Sequence, residues 1–214
     1  MKHACVWIAL GMVALGAGCS STYYNVMEKV GWAKRDILVD RVDETRKAQG
    51  EAKEQFASAL EHFIAVTKVD GGDLQRKYNE LNREFERSET RAKEVHERIA
   101  AVEDVANALF REWKQELGQY SNATLRTESQ RQLNATQQRY DELVRLMRRA
   151  AGRMDPILAT FRDQVLFLKH NLNARAVASL DSTSRTLEAD ISRLIADMEA
   201  SIREAEEFIR TLKS

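Results

Sequence analysis

The sequence predicts an all-α protein, an elongated antiparallel helical bundle or coiled coil of about four long helices. Apolar residues recur at alternating spacings of three and four, which places them on one face of a helix. The 214 residues include one proline and nine glycines, so few positions interrupt a helix. Short polar breaks separate the periodic stretches. An alternative is a three-helix, BAR-like arrangement in which the last two helices fuse through residues 172–182.

The first residues predict a secretory signal peptide, residues 1–18. Lys2 supplies a positive charge, and residues 4–18, ACVWIALGMVALGAG, form an apolar run that ends in small residues. A membrane-spanning helix needs about 20 apolar residues, so this run is short for a permanent span. The sequence therefore predicts export from the cytoplasm.

Cys19 follows the small residues GAG, and this join resembles the acylation site of bacterial lipoproteins. Two or more acyl chains anchor a protein stably, whereas one chain binds only marginally. We therefore predict lipid attachment at Cys19, with residues 19–25 as anchor and linker. Ser20 is not the aspartate that retains many such lipoproteins at the inner membrane, which favours the periplasmic face of the outer membrane. The alternative is a soluble periplasmic protein.

Residues 26–214 predict a single helical-bundle domain. Its breaks are DGGD, GQYSNAT with Ser121 or Asn122 as helix cap, and the softer SLDSTS. Pro156 lies off the apolar stripe of the third helix, so we expect a kink there and not a chain reversal. The predicted helices span about residues 26–69, 74–118, 123–174 and 181–213.

Three of these helices carry a regular apolar stripe, or seam, and the first helix is thinned by the polar run DETRKAQGE. The seam of the second helix consists of Tyr78, Leu81, Phe85, Ser88, Ala92, Val95, Ile99, Val102, Ala106, Leu109 and Trp113. The seam of the third consists of Leu133, Thr136, Tyr140, Leu143, Met147, Ala150, Met154, Ile157, Phe161, Val165, Leu168 and Leu172. The seam of the fourth consists of Leu180, Ser184, Leu187, Ile191, Leu194, Met198, Ser201, Ala205, Phe208 and Leu212.

Composition and motifs argue against several function classes. Lys and Arg balance Asp and Glu at 33 each, so no basic field predicts a nucleic-acid partner. The sequence has no phosphate-binding loop and no H-E-x-x-H, G-x-S-x-G or C-x-x-C motif. His62, His96 and His170 lack the spacing of metal ligands. We therefore predict no enzyme, no cofactor and no metal site.

Two stretches are candidate interaction surfaces. Arginines recur every four residues along one face of the third helix, where they could meet phosphate or pair with acidic residues of a neighbouring helix. The segment FLKHNLNARAVASL places polar residues in an apolar turn, where asparagines can fix register or oligomeric state, or form a binding surface. The candidate residues are Arg145, Arg149, Arg153, Lys169, His170, Asn171, Asn173 and Arg175.

The blocks GWAKRDILVDRV and VLFLKHNLNARA resemble an uncharacterised family of Gram-negative envelope lipoproteins with long coiled-coil helices. The resemblance covers almost the whole mature chain and implies no catalytic residue. With the signal and seams, it suggests a non-catalytic structural or protein-interaction module facing the periplasm. The expected partners are a lipid bilayer, through the acylated N-terminus, and an unknown envelope protein or a second copy. The alternative is a BAR-like coiled coil that binds membrane surfaces through a basic face.

Overall fold

The computed structural model describes residues 33–68 and 74–213. The predicted signal peptide, the predicted linker with Cys19 and the predicted DGGD break lie outside these residues. Within the described ranges the chain forms four α-helices and one 3-10 turn, and no strand. They are α1 (Lys34–Thr67), α2 (Leu74–Glu116), the 3-10 turn (Leu117–Gln119), α3 (Ala123–His170) and α4 (Ala174–Lys213). The predicted all-α bundle is confirmed.

Sequential helices run antiparallel, and α1 and α3 lie diagonally across the bundle. Each of these two helices packs against both α2 and α4. Lys34 at the start of α1 bonds Glu112 near the end of α2, with 3.1 Å between Nζ and Oε1. Lys53 pairs with Glu199 of α4 at 3.4 Å. Short turns between long helices give this up-and-down order.

The core follows the predicted seams, most completely in α4. All ten predicted seam residues of α4, from Leu180 to Leu212, are buried. In α3 the seam is buried except for Thr136 and Leu172, which are half-buried. Each fully buried Leu, Ile or Phe contributes about 1.5–3 kcal/mol relative to an exposed one. These apolar contacts hold the bundle together. The described residues contain no cysteine, so no disulfide contributes among them.

The seam of α2 shifts by one residue near the end of the helix. Leu109 and Trp113 were predicted as core but are half-buried, whereas Phe110 is buried. A straight helix drifts by about 20° per heptad relative to a strict seven-residue repeat. Over the heptads from Leu81 to Leu109, this drift approaches the 100° that separates neighbouring residues. The next residue, Phe110, therefore takes the core position.

The third turn lies earlier than predicted. The fourth helix was predicted to begin at residue 181, which is wrong, because α4 begins at Ala174. The third helix was predicted to end at residue 174, but α3 ends at His170. The backbone N–H of Asn171 donates to the carbonyl of Leu168 at 3.2 Å, and the side-chain oxygen of Asn173 accepts from the N–H of Ala176 at 3.0 Å. The two asparagines thus close one helix and open the next.

This turn excludes the three-helix alternative. The chain reverses at residues 171–173, and α4 runs back antiparallel to α3. Residues 172–182 therefore do not fuse the two helices. The hydroxyl groups of Ser179 and Ser184, at the two ends of the predicted SLDSTS break, donate to carbonyls within α4 itself.

Two features of α3 agree with their sequence patterns. The helix continues through Pro156, and the hydroxyl of Thr160 donates to the Pro156 carbonyl at 3.1 Å. Asn122 is the N-cap: its side-chain oxygen accepts from the N–H groups of Thr124 at 2.9 Å and Leu125 at 3.1 Å.

Candidate functional site

The arginine stripe on α3 joins α3 to α4. Arg149 and Arg153 donate to the two carboxylate oxygens of Asp197 on α4, and the Asp197 side chain is only 9% exposed. Arg145 forms a two-point pair with Glu142 of its own helix, at 2.9 and 2.5 Å. Each arginine of the stripe therefore has a carboxylate partner within the bundle, and three guanidinium groups share two carboxylates.

The Asp197 carboxylate is stabilised in its charged form. Burial alone would raise its pKa, but hydrogen bonds from Arg153 and Arg149 outweigh that effect and hold the pKa below its usual value of 3.8. We call the pairing of Asp197 with Arg149 and Arg153 the clamp. Because the folded-state pKa of Asp197 is lower than its unfolded-state pKa, the clamp stabilises the fold above about pH 4. That contribution is lost as the pH falls through the folded-state pKa.

We expect Asp197→Asn to reduce the acid sensitivity of the bundle. Wild-type protein should lose stability between about pH 5 and pH 2, partly because protonation of Asp197 breaks the clamp. The Asp197→Asn variant should be less stable than wild type at pH 5, and its free energy of unfolding should fall less on acidification. Urea unfolding followed by circular dichroism at both pH values measures the difference. Asp141→Asn, at an exposed carboxylate of α3, is the control, and equal acid losses in both variants would contradict this role for Asp197.

Two further arginines of α3 contact α2, and sequence spacing does not indicate their partners. Arg148 pairs with Glu103 at 2.6 Å. The Glu103 carboxylate that binds Arg148 also acts on Tyr140 of α3. Burial, and to a smaller extent the Glu103 charge, raises the pKa of the Tyr140 phenol to about 12, so the phenol stays neutral. A second contact places the Arg162 guanidinium 5.8 Å from the centre of the Phe85 ring. Partners on different helices cannot be matched from one sequence, because spacing reports only neighbours on the same helix.

The segment FLKHNLNAR divides between turn formation and an exposed surface. Asn171 and Asn173 build the α3–α4 turn through hydrogen bonds between their side chains and nearby backbone groups. Lys169, His170 and Arg175 are exposed and form no ion pair with any residue in the described ranges.

The same end of α3 exposes two large apolar side chains that the sequence analysis did not single out. Leu166 is 52% exposed and Phe167 is 43% exposed. Both residues lie between the buried seam residues Val165 and Leu168. On a helix, this position turns their side chains toward solvent, so the sequence itself indicates their exposure. We call Leu166, Phe167, Lys169, His170 and Arg175 the tip surface.

The described residues offer little for metal chemistry. Nowhere in residues 33–68 and 74–213 do three His, Cys, Asp or Glu side chains gather as a metal site would require. His96 instead lies 3.4 Å from Asp155, across the contact between α2 and α3. In the same ranges, no helix is long and apolar enough to cross a bilayer.

Comparison with known proteins gives one match. Residues 23–212 match the model of the DUF2959 family, whose description is 'protein of unknown function'. No curated protein and no solved structure matches the chain. The match extends from before α1 almost to the end of α4, so it includes every helix described above. The chain therefore belongs to the DUF2959 family.

Proposed function

We propose that this protein is an envelope lipoprotein that acts as a non-catalytic structural or protein-interaction module. In this proposal, acyl chains on Cys19 hold it at the periplasmic face of the outer membrane. The observation that carries the proposal is the order of parts along the chain. An apolar run that ends in GAG and a cysteine precedes a helical bundle. Within the described residues, the seams of this bundle are mostly buried against one another.

The form of the bundle suits a spacer or adaptor. The longest helix, α3, has 48 residues, which corresponds to about 72 Å at a rise of 1.5 Å per residue. The seams bury most of the large apolar side chains, and the clamp at Asp197 ties α3 to α4. Such a body offers long polar faces to a partner, which we propose to be another envelope protein or a second copy.

The tether would join the bundle through the start of α1. The polypeptide enters α1 at Lys34, and the end of α2 lies beside this position, as the bond between Lys34 and Glu112 shows. Residues 20–33 would connect that end to the acylated cysteine.

We expect Cys19→Ser to abolish lipid attachment. In a Gram-negative host fed a palmitate analogue, wild-type protein should take up the label and fractionate with the outer membrane. Cys19→Ser should take up no label, because a hydroxyl group cannot form the thioether.

The control is Cys5→Ser, which makes the same change at the cysteine within the predicted signal peptide. This variant should be labelled and localised like wild type. Labelling of Cys19→Ser, or absence of label from wild type, would refute acylation at this position.

A further inference from the structure

The tip surface combines exposed apolar side chains with unpaired positive charge. Leu166 and Phe167 are neighbours on the outer face of α3, half a turn away from the buried seam residues Val165 and Leu168. Lys169 follows on the same helix end, and Arg175 lies just across the α3–α4 turn. Neither cation forms an ion pair within the part of the chain that the structure describes.

This composition differs from that of the arginine stripe on the same helix. Arg149 and Arg153 share one carboxylate within the fold, that of Asp197. The cations of the tip surface remain available to an external anion. Lys68, exposed at the end of α1, adds a positive charge at the same end of the bundle.

We propose that the tip surface binds a phospholipid bilayer that contains anionic headgroups. Leu166 and Phe167 enter the boundary between headgroups and acyl chains, while Lys169 and Arg175 meet lipid phosphates. The side chains stand on the convex outer face of a helix, which a fluid bilayer accommodates without a shaped pocket. The inference rests on and extends the proposed function, because it adds a second bilayer contact to the acyl tether.

One acidic residue lies on the same face and provides a test of the charge component. Asp163 is exposed, about one turn before Leu166 and Phe167. Its carboxylate repels anionic headgroups, so removing its charge should strengthen the binding of the tip surface. A purely apolar contact would not respond to this change.

The experiment uses non-acylated protein of residues 20–214, which contains the whole bundle with its own core and neither Cys19 nor the apolar leader. Cosedimentation is measured with vesicles of phosphatidylcholine alone and of phosphatidylcholine with phosphatidylglycerol. Wild-type protein should bind the anionic vesicles, more weakly at high salt. The double variant Leu166→Ser/Phe167→Ser should bind about tenfold more weakly, Lys169→Gln/Arg175→Gln should also lose binding, and Asp163→Asn should gain it.

The matched control is Tyr120→Ser/Leu125→Ser, which removes two exposed apolar side chains at the opposite end of the bundle. It should bind like wild type, and circular dichroism should show the same helix content in every variant. The proposal is overturned if wild-type protein ignores anionic vesicles, or if the control loses as much binding as the tip variant. Recognition of an acidic protein in the absence of vesicle binding would likewise overturn it. Because the protein tested carries no acyl chain, a negative result leaves the palmitate labelling of Cys19 as a separate question.

Discussion

Leu194→Asp is expected to destabilise the bundle by more than about 4 kcal/mol. Leu194 is 0% exposed and lies in the middle of the α4 seam, between Ile191 and Met198. The substitution removes the packing of a buried leucine and places an unpaired carboxylate in an apolar layer. Both effects act in the same direction, so this change should approach or exceed the stability of a typical domain.

Urea unfolding followed by circular dichroism measures this effect, and Ala196→Asp is the matched control. Ala196 is exposed on the same helix, so the same new charge remains in water there. The control should stay within about 0.5 kcal/mol of wild type. An unchanged unfolding midpoint for Leu194→Asp would mean that the α4 seam faces solvent.

Phe161→Ala is expected to cost about 3–5 kcal/mol of folding free energy. Phe161 is buried in α3, and its ring centre lies 5.3 Å from that of Phe63 in α1, the helix diagonally opposite. The ring therefore fills the centre of the bundle, where its removal leaves a cavity that four helices cannot readily close. Phe167→Ala removes an identical ring from the exposed face of the same helix and should cost little.

The diagonal contact can be tested separately with a double-mutant cycle between Phe63→Ala and Phe161→Ala. Two rings in contact are expected to show a coupling of about 0.5–1.5 kcal/mol beyond the sum of their separate burial. Additive losses in the double variant would show that the two rings do not touch.

The helical class and most of the core could be predicted because they depend on local periodicity. In α4 the spacing of three and four from Leu180 to Leu212 identified the buried positions, although Ile195, Ile202 and Ile209 lie beside them and are half-buried. In α2 the same reasoning placed Leu109 in the core where Phe110 lies. A strict repeat cannot report the accumulated drift of a straight helix.

The position of the third turn was harder to predict because its signals compete. Residues 179–184 offer aspartate and several serines, all common helix caps, whereas the actual turn contains neither glycine nor proline. Asn171 and Asn173 form the turn through hydrogen bonds to nearby backbone groups. The hydroxyls of Ser179 and Ser184 bond helix carbonyls, which allows serine inside a helix.

The candidate surface also separated into parts that sequence could and could not resolve. The spacing of Arg149 and Arg153 shows that they share a face of α3, but not that Asp197 lies opposite them. That pairing depends on the register between α3 and α4, which the turn sets. The exposure of Leu166 and Phe167 follows from their positions between the seam residues Val165 and Leu168, so heptad spacing is sufficient to indicate it.

The central functional claim is that acyl chains on Cys19 tether a self-contained helical bundle. Mass spectrometry of the N-terminal peptide of protein isolated from a Gram-negative envelope tests it most directly. The account predicts a mature chain that begins at Cys19 and carries the mass of a thioether-linked diacylglycerol. A mature chain that retains an unmodified Cys19 thiol, or that begins at another residue, would contradict it.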